Sequence, residues 1–202
     1  ALRAITWAYS QFYFGRYPRS GLRVLMYHAI GTPVEDDTRC LYNMTPAQFG
    51  EHMRHLAQCH TNRLVPLDLS ALEGDSFRIA LTFDDGYRSV YTHALPVLAS
   101  HGYPATVFLV SGAQRGVSLP DFMPARLGLL LGWSEAREML RHGISFGAHG
   151  VTHRKLAGLP DHEVAHEVGD SKREIEDALS TMVTEFCYPF GSFDSFTDSV
   201  EA

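Results

Sequence analysis

A chain of 202 residues with 45% hydrophobic and 20% charged residues has the make-up of an ordinary folded protein, and no linker-like stretch divides it. Its formal charge of -6 and the lack of any basic stripe disfavour a nucleic-acid-binding surface. Cys40, Cys59 and Cys187 are widely spaced and form no CxxC, so neither a disulfide framework nor a zinc ribbon is implied and small buried hydrophobes are expected.

Residues 1–20 carry Trp7, Tyr9, Phe12, Tyr13, Phe14 and Tyr17 beside Arg3, Arg16 and Arg19, without the compact apolar core or cleavage-like site of a signal peptide. Packing of this arm on its own domain is the favoured reading, and contact with a membrane surface is the other. No apolar stretch approaches the roughly 20 residues of a membrane span. The folded domain is expected over 21–202.

The run Arg23 to His28 is rich in strand formers and stops at Gly31-Thr32-Pro33, as a buried strand does. Thr45-Pro46 offers a cap and a first-turn proline to a helix reaching about Cys59, with Phe49, Met53 and Leu56 at helical spacing. Arg63 to Leu67 suits a short extended segment, and Phe77 to Phe83 suits a stronger strand that delivers Asp84 and Asp85 at its carboxyl end. A helix from about Tyr91 to Gly102, despite Pro96, precedes a buried strand over 105–110. The stretch from Gln114 to Gly132, with its Leu-rich piece, has no clear period. Ser134 is the expected cap of a helix to Arg141, and 144–148 is a strand whose loop opens on His149. Asp161 is the expected cap of a long helix with Val164, Val168, Ile175 and Leu179 inward; Val183 to Tyr188 reads as a last strand. The alternation predicts an α/β fold with a mostly parallel sheet, open or closed as a barrel.

The chemistry concentrates in Thr82-Phe83-Asp84-Asp85-Gly86 and His149-Gly150-Val151-Thr152-His153. An isolated Asp-Asp-Gly is most simply a solvated turn, and a histidine pair four residues apart often only caps or packs. Taken together, with His28 also at a strand end, they read as a divalent-metal site with a spare carboxylate: two imidazoles and one carboxylate are the protein ligands a hydrolytic zinc site uses while leaving one position open. His52, His55, His60, His162 and His166 lie in helix-like stretches without a carboxylate partner and read as surface residues.

These two motifs, in this order and separation, resemble the first and second motifs of the polysaccharide deacetylase family, carbohydrate esterase family four. The resemblance runs from about Gly21 through nearly the whole chain. It implies an irregular (β/α) barrel, incomplete here toward the C-terminus, and a divalent metal, with zinc the expected ion. By motif, Asp85, His149 and His153 would hold the metal and Asp84 would be the catalytic base. Gly150 and Arg154 stand where the second motif usually has Ser or Thr and Pro. The third motif is usually Arg-x-Pro followed by an aromatic residue; here it is Cys187-Tyr188-Pro189-Phe190, without the arginine that orients the catalytic aspartate. The histidine motif usually found near the C-terminus is instead resembled by Leu25-Met26-Tyr27-His28, the permuted order of the poly-N-acetylglucosamine deacetylase-like subgroup, which makes His28 the candidate general acid.

The implied activity is removal of N-acetyl groups from an amino-sugar polysaccharide, oligosaccharide or glycoconjugate, with the cell envelope or the cell exterior favoured as its location. Tyr188, Pro189, Phe190 and Gly191 would border the substrate, with the Phe190 N–H as an oxyanion donor; packing beneath the site is the competing role for Tyr188 and Phe190. A non-catalytic carbohydrate-binding relative and a deformylase or amidase on the same scaffold are the alternatives.

Overall fold

The structure is a computed structural model, and it describes residues 20–31, 43–60, 63–68, 76–115, 130–191 and 195. The expected arm over 1–20 and Cys40 fall almost wholly outside these residues.

In chain order the strands are β1 (Gly21–Tyr27), β2 (Ala29–Ile30), β3 (Asn43–Met44), β4 (Phe77–Phe83), β5 (Ala105–Leu109) and β6 (Ile144–Ala148). The helices are α1 (Pro46–His60), α2 (Leu95–His101), α3 (Trp133–Leu140), α4 (Asp161–Ala165) and α5 (Ser171–Leu179). Four strands form one parallel sheet in the order β1-β4-β5-β6, and β2 and β3 form a small parallel pair. Every residue of β5 and the last five of β4 are buried, as strands covered on both faces must be. This is the expected α/β fold with a parallel sheet; among the described residues the sheet stays open rather than closing into a barrel.

Local chemistry explains most boundaries. Thr45 Oγ1 accepts the Gln48 N–H at 3.2 Å and Gln48 Oε1 accepts the Thr45 N–H at 3.2 Å, a reciprocal box that starts α1 where the sequence places it. The extended piece near Leu64 bridges Ile79 of β4 in parallel. Pro96 does not interrupt a helix, because the chain runs through a π-helical turn, Val90–Ala94, and α2 begins afresh with Pro96 in its first turn.

Five expectations change. β1 is not the buried strand its composition suggests, since Val24 and Met26 are 45% and 60% exposed. α3 starts at Trp133, not after Ser134, because Glu135 Oε2 reaches back to the Gly132 N–H at 3.0 Å. The long helix after Asp161 is α4, a π-helical turn over His166–Asp170, and α5; the extra residue in that turn moves the inward face, so Glu167 is buried while Val164 and Val168 are only half-buried. The segment 183–188 makes one bridge, Phe186 to Ala148, instead of a full strand. Cys59 is exposed and Cys187 half-buried, so neither is the buried hydrophobe expected of it.

The core lies between the sheet and its helices. Phe83 at the end of β4 is fully buried, with the rings of Tyr27 and Phe49 centred 5.4 and 5.9 Å away, which fixes α1 against the strand ends where the site forms.

Candidate metal centre

The carboxyl ends of β1, β4 and β6 meet at one rim. The pairing of β1 with β4 ends at Tyr27 and Phe83, and the Asp84 N–H donates to the Tyr27 carbonyl at 2.9 Å, so His28 and Asp84 emerge side by side. Asp85 then turns into the left-handed region at φ 70°, a conformation Asp tolerates better than most residues, and Gly86 follows at the same φ. A Cβ on Gly86 would lie 2.7 Å from the Leu109 side chain. This turn sends adjacent carboxylates to different partners.

Asp85 faces the histidines. Its Oδ1 lies 3.4 Å from His149 Nε2 and 3.2 Å from His153 Nε2, with all three side chains almost wholly buried. That oxygen faces both imidazole nitrogens, so the three atoms converge on a shared point. His149 Nδ1 is 2.7 Å from the Cys187 carbonyl oxygen. A carbonyl only accepts, so Nδ1 carries a proton, and whenever the ring is neutral it is Nε2 that keeps a lone pair for the shared point. The donor set of one carboxylate and two imidazoles, all within 4.8 Å of one another, is a group that could hold a metal ion.

With no ion bound, the same atoms form a buried ion pair. Burial pushes the Asp85 carboxyl up, but the two facing imidazoles outweigh it and hold it well below the usual carboxylate range. Burial opposes the charged form of His149, yet Asp85 and the Cys187 side chain raise it well above an ordinary imidazole.

Asp84 is buried as well, and burial is the main reason its carboxyl is raised, opposed by the charges of His149 and His28. The Cys187 thiol donates to its Oδ2 at 3.7 Å, while its Oδ1 has no hydrogen-bond partner among the described residues. Burial also raises the Cys187 thiol, which keeps it a donor at neutral pH. Asp84 therefore has the features of a proton acceptor: it is desolvated, adjacent to the metal-binding group and not used by it.

The loop between the histidines rests on a residue the sequence reading missed. Glu167 is 1% exposed; its Oε2 accepts the Val151 and Thr152 N–H groups at 2.8 and 2.9 Å, and its Oε1 accepts the Thr152 hydroxyl. Gly150, at φ 82°, makes room for that carboxylate, since a Cβ there would lie 2.8 Å from Glu167 Oε2. In the sequence Glu167 is one of several acids in a polar helical stretch, and nothing there sets it apart.

The other expected site residues surround this centre. His28 is half-buried beside Asp84 and contributes to its electrostatics. Pro189 is buried and Tyr188 half-buried against Phe186, while Phe190, at φ 70° and 48% exposed, sets its ring 5.0 Å from His153. Gly191 is exposed at φ 60°. Arg154 ion-pairs with Glu163 on the surface, where such a pair adds little stability. His166 pairs with Asp170 at 2.5 Å, so it is a surface histidine but not one lacking a carboxylate.

Known proteins share this arrangement's scaffold. Residues 72–202 match the family model described as polysaccharide deacetylase, a span that includes both aspartates, both histidines and Cys187 but not His28. YxkH of Bacillus subtilis (strain 168), which bears a provisional polysaccharide deacetylase assignment, is 26% identical over 181 residues, covering 87% of this chain; the chain spans 59% of that relative's length. Among solved structures, the Streptococcus pyogenes deacetylase PplD in complex with acetate superposes with a TM-score of 0.73 at 24% identity, over 92% of this chain and 79% of that one. IcaB from Ammonifex degensii gives 0.67 at 20% identity, over 90% and 79%. With its motifs inside the matched span, the chain belongs to the polysaccharide deacetylase family.

Proposed function

We propose that this chain is a metal-dependent N-deacetylase acting on an acetylated amino-sugar polysaccharide, oligosaccharide or glycoconjugate. The observation that carries the reading is the buried Asp85, His149, His153 group with a second buried carboxylate, Asp84, beside it and outside it. Asp85 and the Nε2 atoms of His149 and His153 are the ligands, and the Cys187 carbonyl fixes the His149 tautomer.

When bound, the ion, for which zinc is the expected choice, polarises the acyl oxygen and raises the acidity of water. Asp84 takes a proton from the water oxygen as that oxygen bonds to the acetamide carbon. The N–H of Phe190 is the backbone donor for the developing oxyanion, and the exposed Phe190 ring offers a sugar a flat apolar face. His28, beside Asp84 at the end of β1, gives a proton to the amine nitrogen as the C–N bond breaks. Acetate and a free amine leave. The family places such chemistry on polymers of the cell envelope or exterior, and that is the setting we propose.

The test is acetate release from N-acetylglucosamine oligomers by the full chain, with and without added zinc. Release that chelation stops and that Asp84→Asn lowers by roughly 10²- to 10⁴-fold is expected. Oligomer binding without release would favour the carbohydrate-binding alternative, and faster release of formate from formylated oligomers would favour a deformylase.

A further inference from the structure

Cys187 is held at three points. Its N–H donates to the Ala148 carbonyl at 2.9 Å, which ties it to the end of β6. Its carbonyl accepts from His149 Nδ1 at 2.7 Å, and its thiol crosses to Asp84 Oδ2 at 3.7 Å, closer than its other acceptor, the Tyr188 carbonyl at 4.0 Å. One residue thus touches both a candidate ligand and the carboxylate next to the metal-binding group. Because its backbone is anchored on both sides, the direction of its Cβ is fixed, and the thiol can restrain an acid only a few ångströms away.

We propose that Cys187 is the positioning residue of Asp84: its thiol proton fixes Oδ2 and leaves Oδ1 as the oxygen that takes the proton from water. The site thereby uses a neutral donor in a place where a guanidinium would add a permanent positive charge. A neutral donor orients the carboxylate without suppressing its basicity, whereas a cation would stabilise its charged form. This rests on Asp84 being the base, as proposed above. A thiol is a weak donor, so the restraint it gives is modest.

The contact and the reaction are tested separately. The infrared S–H stretch of Cys187 is assigned by its loss in Cys187→Ser, which separates it from Cys40 and Cys59. It is expected to move to higher frequency in Asp84→Ala, where the acceptor is gone. On acetate release, Cys187→Ala is expected to lower kcat about tenfold with KM and bound metal unchanged, and Cys187→Ser, which restores a donor, is expected to recover most of that loss. An S–H band that Asp84→Ala leaves in place overturns the proposal even if Cys187→Ala does not fold. Unchanged kcat in a folded Cys187→Ala overturns it too. Full acetate release by Asp84→Asn would instead remove Asp84 from the reaction, and the positioning role with it, whatever the band does.

Discussion

Asp84 and Asp85 are neighbours whose environments push their proton affinities apart: burial raises the first, while two imidazoles hold the second low. That division depends on the left-handed turn at Asp85, which Asn can also adopt. Asp85→Asn is therefore expected to fold and to lose metal affinity by at least about a hundredfold, because the anionic ligand is gone. Elemental analysis after equilibrium dialysis against zinc reads the loss; normal uptake by this variant would break the ligand assignment. The carboxylate pair was legible because both residues end a strand pattern. The partner of Asp84 was not, since nothing in a single cysteine 103 residues away marks it as a donor rather than a packing residue.

At the level of elements, most strands followed from periodicity and composition, and the misplaced inward face of the helix after Asp161 has a single cause. A π-helical turn over His166–Asp170 adds a residue to a pattern that 3.6-residue spacing reads as uniform, so Val168 was placed where Glu167 sits. That one-residue shift puts a carboxylate under the loop joining the two histidines. Glu167→Ala strands two amide donors and a hydroxyl, and is expected to cost about 2–4 kcal/mol and to weaken metal binding by roughly tenfold or more. Glu167→Gln, which keeps the shape and one acceptor, is expected to lose less on both counts. Urea denaturation and zinc titration measure the two effects; full stability and affinity in the alanine variant would show that the loop holds itself.

For the whole molecule, alternating strands and helices made the parallel sheet readable, whereas closure depends on elements the described residues do not supply. The buried ion pair also sets how stability follows pH. Without metal, His149 is raised above its ordinary 6.5, so its contribution is complete below that value and is lost as pH rises through the folded-state value. Asp85 is depressed from 3.8, so its contribution is present above that value and is lost only as pH falls through the folded one. Metal-free protein is thus expected to lose stability as pH rises above about 6.5, while the gain in melting temperature on adding zinc grows over the same range as protons cease to compete for His149. Calorimetry with and without chelator checks both slopes; parallel curves would contradict the shared site.

The span of the hydrogen bond from Cys187 to Asp84 also bears on the order of folding. A link across 103 residues closes a long loop that contains the parallel pairing of β4, β5 and β6, and closure of such a loop is entropically costly before those pairings form. Asp85 follows β4 and His149 follows β6, with β5 between them, so the candidate metal-binding group comes together only when these strands are paired. Until then a chain offers an ion only scattered histidines and carboxylates. Loading with metal would then mark the end of folding rather than nucleate it.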